Sequence, residues 1–262
     1  MKKELVVSGC SYIGDYVREQ NEYLVKDKKH DIHFVIDGKI YSEKWNYIEP
    51  FALLDYHLGE YLDLKPVNLG TSGSSNKQIF ETSVDYIGKN HNKIKLLIVS
   101  WTCFKRMGFM NDYHPKSYET VFYNYGPINQ EDVNCDKPLL NNGSFTKQLF
   151  DLGFIDVKFD VDYFYRCSYL LEKLCESYDI RLVQGFSFRS TTHPILLEHP
   201  YVSRINLDNF YGFPGDLLIG GTPLFSRDQE YTLTKNNLHP NELGHKKTAE
   251  NLINFIEGRN IL

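Results

Sequence analysis

Basic residues are in the minority here. Lys and Arg number 29 against 34 Asp and Glu in 262 residues, a formal charge of −5 with histidine neutral. That balance gives no general attraction to nucleic acid or to an anionic membrane surface. The five cysteines, at 10, 103, 135, 167 and 175, are odd in number, scattered, and form no C-x-x-C pair. They argue against a disulfide framework and a thiolate zinc site, and they suit a reducing compartment. Long apolar runs are missing too. Leu5-Val6-Val7 falls short of the roughly 7–15 residues of a secretory core. Nothing approaches the roughly 20 apolar residues of a membrane span. The expectation is a cytoplasmic protein with no membrane or nucleic-acid partner.

Repeats and low-complexity tracts are also absent, while 42% hydrophobic and 24% charged residues are ordinary for a folded chain. The length fits one large domain, 1–262. Short apolar runs alternate with helical patterns. Residues 5–8, 67–69, 96–101 and 180–186 read as strands, and 96–101 is apolar enough for a central parallel strand covered on both faces. Residues 14–24, 48–62, 75–88, 161–178 and 242–257 read as helices. Asp37-Gly38 between apolar stretches signals a hairpin within 33–41. The β-α-β-α order predicts an α/β fold: a three-layer α/β/α arrangement around a parallel sheet, flavodoxin-like. Two irregular stretches, about 104–158 and 187–235, are expected as loop insertions.

Ligands of open α/β sheets bind at the carboxyl ends of the strands. Small polar residues cluster there: Ser8-Gly9-Cys10-Ser11, then Asn68-Leu69-Gly70-Thr71-Ser72-Gly73, then Ser100-Trp101-Thr102. His239-Pro240-Asn241 with Gly244-His245 precedes and opens the last helix. Gly9 and Gly14 have P-loop spacing, but Asp15 stands where the phosphate-binding lysine belongs, and its charge would repel a phosphate. No glycine lies two residues before Gly70, so a dinucleotide fingerprint is incomplete. Nucleophilic catalysis fits better. Ser11 follows a strand and precedes a helix, where free backbone N–H groups favour an oxyanion. Gly73 has no side chain to block a second N–H donor, and the Thr102 hydroxyl offers a third. His239 is the candidate base, since a serine needs such a partner at neutral pH.

These blocks, in this order, resemble the SGNH (GDSL-like) hydrolases. The resemblance implies Ser11 as nucleophile on an ester carbonyl, an oxyanion hole from Ser11, Gly73 and Thr102, and His239 as general base. Two positions depart from the family pattern. Thr102 stands where an asparagine is expected. Asn236 stands three residues before His239, where the family's Asp-x-x-His pattern has an acid. Asp208, Asp216 or Asp228, or a backbone carbonyl, are other ways to orient His239. The expected activity is that of a serine esterase on a small-molecule or carbohydrate ester, an O-acetylated carbohydrate first, with no cofactor and no metal. A binding or structural module on the same fold, or an acyltransferase, are the alternatives.

Each residue also has a plainer reading. Ser11 could be an N-cap, and Gly70 and Gly73 could serve a tight turn. Thr102 could bond within its own loop. His245 is expected to pack rather than react, and Cys10 to point into the core.

Overall fold

The computed structural model describes residues 2–10, 12–29, 31–36, 39–102, 106–110, 118–122, 157–187, 193–213, 217–219, 230–234, 237 and 239–262. The first strand, β1 (Glu4–Ser8), is buried along its whole length. It leads to α1 (Tyr16–Asp27), an antiparallel hairpin of β2 (Asp31–Ile36) and β3 (Lys39–Lys44), and α2 (Leu54–Leu62). Next come β4 (Lys65–Asn68), α3 (Asn76–Asn90) and β5 (Ile94–Trp101). A second hairpin, β6 (Arg106–Met110) with β7 (Tyr118–Phe122), precedes α4 (Val157–Ser177) and β8 (Arg181–Phe186). Helix α5 (His193–Glu198), two 3-10 turns (Pro200–Arg204 and Leu207–Asn209) and α6 (Glu242–Gly258) complete the described elements.

Four strands form one parallel sheet in the order β4-β1-β5-β8. Alternation along each strand sorts its apolar side chains to two faces. Val6, Leu97, Val99, Trp101, Leu182 and Phe186 pack with Ile79 and Ile87 of α3 and with Phe164 and Leu171 of α4. Leu5, Val7, Leu96, Ile98 and Val183 pack with Leu54 and Leu58 of α2 and with Leu252, Ile253 and Ile256 of α6. The result is the expected three-layer α/β/α arrangement. Taken in chain order the parallel strands run 2-1-3-4, the flavodoxin-like order. Helix α1 joins a smaller cluster around Val17 and Trp45. Among the described residues, no helix is long and apolar enough to cross a membrane.

Two expectations need correction. The helix expected from 48 begins only at Leu54. Pro50 disfavours helical backbone at Glu49, and Asn21 of α1 holds the preceding segment in place. Its Oδ1 accepts from Trp45 Nε1 at 2.9 Å and from the Ile48 N–H at 3.3 Å, and its Nδ2 donates to the Ile48 carbonyl at 2.6 Å. The stretch 104–158, expected to be irregular, contains the β6–β7 hairpin and the first residues of α4; the rest of it lies outside the described residues. In the other irregular stretch, residues 210–213 and 217–219 line the edge of β8. The Tyr211 N–H donates to the Gln184 carbonyl at 2.7 Å and the Ile219 N–H to the Phe186 carbonyl at 2.8 Å. A sheet edge that would otherwise be open is thereby partly covered.

His245, on the buried side of α6, packs near Phe51 and His57 as expected of a core histidine. Burial first, and the neighbouring His57 second, push its pKa from 6.5 down to about 3. A lowered histidine pKa means that the unfolded chain takes up a proton before the folded one does. Stability is therefore lost as pH falls below about 6.5, progressively toward 3. From pH 7 to pH 5 this group should remove about 2 kcal/mol. Urea unfolding at the two pH values should show a drop smaller by that amount in His245→Leu than in the parent chain.

Candidate active site

Strand order reverses between β1 and β5. The chain leaves β1 for β4 on one side and later returns to β5 on the other. The crevice at the carboxyl ends of these two strands is the switch point where ligands of such sheets bind. After β1 the backbone turns at once: the N–H groups of Ile13 and Gly14 both donate to the Cys10 carbonyl at 2.9 Å. Asp15 then caps α1, accepting from the Arg18 N–H at 3.1 Å. Cys10 itself is fully buried, and its Sγ donates to Ser187 Oγ at 3.3 Å. As expected, it belongs to the core.

The strand-end loops are fastened to one another. Asn68, the last residue of β4, donates through Nδ2 to the Ile13 carbonyl at 2.9 Å and to Asp55 Oδ1 at 2.8 Å; its Oδ1 accepts from the Gly70 N–H at 2.8 Å. Burial raises the Asp55 carboxyl pKa, and the Asn68 bond partly opposes the rise. The Thr71 N–H donates to the Gly9 carbonyl at 3.2 Å. Beyond Gly73, Ser75 caps α3 by accepting from the Gln78 N–H at 3.3 Å. The first residue of that helix, Asn76, reaches across to the end of β5. Its Oδ1 accepts from the Thr102 N–H at 2.8 Å, and its Nδ2 donates to the Thr102 carbonyl at 3.3 Å.

His239 completes the group from the far end of the chain. Its carbonyl accepts from the Leu233 N–H at 2.9 Å, and Thr232 bridges Pro240, so it sits on a closed turn ahead of α6. The ring stacks on Tyr16, with centroids 3.8 Å apart and planes 2° apart, and on Tyr12 at 4.6 Å and 22°. Tyr12 is the residue after Ser11, so this packing brings the histidine to the β1 turn. Nδ1 lies 2.7 Å from Asn237 Oδ1. Burial pushes the Tyr16 hydroxyl up to about 12, and the Asn237 side chain partly offsets the rise. The hydroxyl therefore stays protonated at neutral pH.

Ser11 and Asn236 lie outside the described residues. Gly73 has φ +77, and a Cβ built there meets nothing within 4 Å among the described residues. The glycine is thus required by backbone conformation rather than by crowding. The Thr102 hydroxyl is buried with no hydrogen-bond partner among the described residues. Its backbone groups are both held by Asn76. The structure thus links the loops that carry Gly73 and Thr102 through Asn76, and brings His239 to the β1 turn through Tyr12 and Tyr16. Sequence reasoning did not assign roles to Asn76, Asn237 or the two tyrosines. For Asn237 a signal exists: an Asx residue two positions before a histidine can close an Asx turn on it. For Asn76 there is none, because its partner lies on another strand.

No known protein-family model matches this chain, and no curated protein matches it. The site therefore has to be read from its own chemistry.

Asn76→Ala would strip both partners from a buried backbone peptide at Thr102. Each buried group left unpaired costs about 1–3 kcal/mol. Unfolding in urea should show a loss of about 2–4 kcal/mol, against less than about 1 kcal/mol for a surface substitution such as Lys89→Ala, whose exposed ion pair contributes little.

Proposed function

We propose that this chain is a serine esterase of the SGNH type, cleaving a carboxylic ester through an acyl-Ser11 intermediate. The observation that carries the reading is His239: a histidine from near the C-terminus packed against the turn after β1, with Nδ1 paired to a side-chain oxygen at 2.7 Å. A general base has to be oriented, and anchoring one ring nitrogen does this.

In the proposed reaction the Ser11 hydroxyl oxygen bonds to the ester carbon as its proton passes to His239. The carbonyl oxygen takes the negative charge, with the Ser11 and Gly73 N–H groups and the Thr102 hydroxyl as donors. Collapse of the intermediate breaks the carbon–oxygen bond to the alcohol, which leaves with the proton from His239. Water then repeats the sequence on the acyl-serine and releases the acid. The unpartnered Thr102 hydroxyl supports its place in this scheme. An oxyanion donor is worth about 3–4 kcal/mol in barrier height.

An O-acetylated carbohydrate is the proposed substrate class. A groove of about 990 Å³ lies between the segment leading into α2 and the start of α6; Phe51, Tyr56, His57, Glu60, Leu233 and Lys246 are in its wall, and Gly73, Thr102 and His239 are not. The aromatic rings and polar side chains of that wall are compatible with a sugar, and this class rests on the family resemblance. A second reading, a binding module on the same fold, draws on the amide that stands where a carboxylate would steady an imidazolium.

Hydrolysis of a short-chain activated ester by the purified protein separates the two. The esterase reading expects turnover that disappears in Ser11→Ala, and a gain in Asn236→Asp. Activity equal to the Ser11→Ala blank in both the parent chain and Asn236→Asp would leave the binding module as the better reading.

A further inference from the structure

We infer that Asn237 is the positioning residue of His239: its side-chain oxygen holds the imidazole with the proton on Nδ1, leaving Nε2 as the basic nitrogen. The inference rests on His239 being the base proposed above. It gives Asn237 the orienting role that the Asp-x-x-His pattern assigns to a residue one position earlier.

The contacts identify the atoms. Asn237 Oδ1 lies 3.3 Å from the His239 backbone nitrogen and 2.7 Å from Nδ1. A backbone N–H can only donate, so the side-chain atom facing it is the amide oxygen and not the NH₂ group. That oxygen can only accept, so Nδ1 at 2.7 Å must carry its proton. In a neutral imidazole with Nδ1 protonated, the lone pair is on Nε2. One oxygen thus fixes the backbone and the ring of the same residue through a single Asx turn.

Asn237 is itself held firmly. It is fully buried. Its N–H donates to Thr234 Oγ1 at 3.0 Å, and its carbonyl accepts from the Thr234 N–H at 3.3 Å. Thr234 Oγ1 in turn donates to Glu43 Oε2 of β3 at 3.0 Å. A carboxylate is therefore present, but it reaches the backbone of Asn237 and not the amide oxygen. It steadies the turn without placing charge on the imidazole. Stacking on Tyr16 restrains the remaining freedom of the ring, its rotation out of that plane. The arrangement selects a tautomer without stabilising an imidazolium. Restoring a carboxylate at 237 keeps the acceptor and adds the missing charge.

The direct test is the tautomer. In the ¹⁵N-labelled full chain, the His239 ring nitrogens are assigned by their loss in His239→Gln, and their shifts report which nitrogen is protonated. The expected result is protonation at Nδ1 in the parent chain and in Asn237→Asp, and a mixture of tautomers in Asn237→Leu. Alongside it, kcat on the short-chain ester should rise about tenfold or more in Asn237→Asp, and by more than in Asn236→Asp; loss of the aspartate from a triad costs about 10⁴-fold. Protonation at Nε2 in the parent chain overturns the inference, and so does an unchanged tautomer in a folded Asn237→Leu. If Asn237→Leu does not fold, the parent chain and Asn237→Asp still decide the matter. The expected tautomer with no ester turnover in any variant removes the esterase reading and leaves the Asn237–His239 pairing standing.

Discussion

Gly14 and Gly70 stand back to back, and the site depends on that approach. A Cβ on Gly14 would fall 2.7 Å from the Gly70 carbonyl oxygen, and one on Gly70 would fall 2.5 Å from the Gly14 nitrogen. Real side chains never come so near to backbone, so at both positions only hydrogen fits. The contact sets the distance between the loops that leave β1 and β4. Asn68 then locks it, with one amide spanning the Ile13 carbonyl, the Gly70 N–H and the Asp55 carboxylate. Everything further out inherits its position from this pair. Asp15 caps α1 next to Gly14, α1 carries Tyr16, and Tyr16 carries the face on which His239 lies.

Buried and half-buried amides do the joining throughout. Asn21 ties the segment before α2 to α1, Asn68 ties two strand ends, Asn76 ties a third, and Asn237 holds the histidine. An amide suits this task because it offers donors and an acceptor on one rigid group and carries no charge to desolvate. Ion pairs contribute less, since they are mostly between exposed side chains, such as Lys89 with Asp85 and Arg18 with Glu22.

Much of the fold could be read in the sequence because buried parallel strands are continuous apolar runs. Leu5-Val6-Val7 and residues 96–101 stand out for that reason. Helix starts were legible where the cap is local: Ser75 and Asn241 each accept from an N–H three residues ahead. Where a tertiary contact decided, pattern failed. Apolar spacing across 48–53 mimics a helix, but Pro50 and the Asn21 clamp keep it open. Gly108 interrupts the strand pattern of β6, so the hairpin did not show. In the site, the strand-end blocks were visible as clusters of small polar residues. The histidine support was not, because family spacing directs attention to Asn236 while the Asx turn selects its neighbour.

Some buried polar atoms have no hydrogen-bond partner. Folded chains satisfy nearly all such atoms, and each exception asks for a reason. Among the described residues they are His57 Nε2, Ser72 Oγ, His91 Nδ1, Thr102 Oγ1, Gln184 Nε2 and Asn237 Nδ2, and the Asn237 side chain also acts on the Tyr16 hydroxyl. Ser72 lies in the loop after β4, Thr102 follows β5, and Asn237 lies beside His239. Each unmet group costs about 1–3 kcal/mol, which an apolar residue of similar shape would recover. Of these atoms, the proposed reaction would give a partner to Thr102 Oγ1, as an oxyanion donor, and to none of the other five.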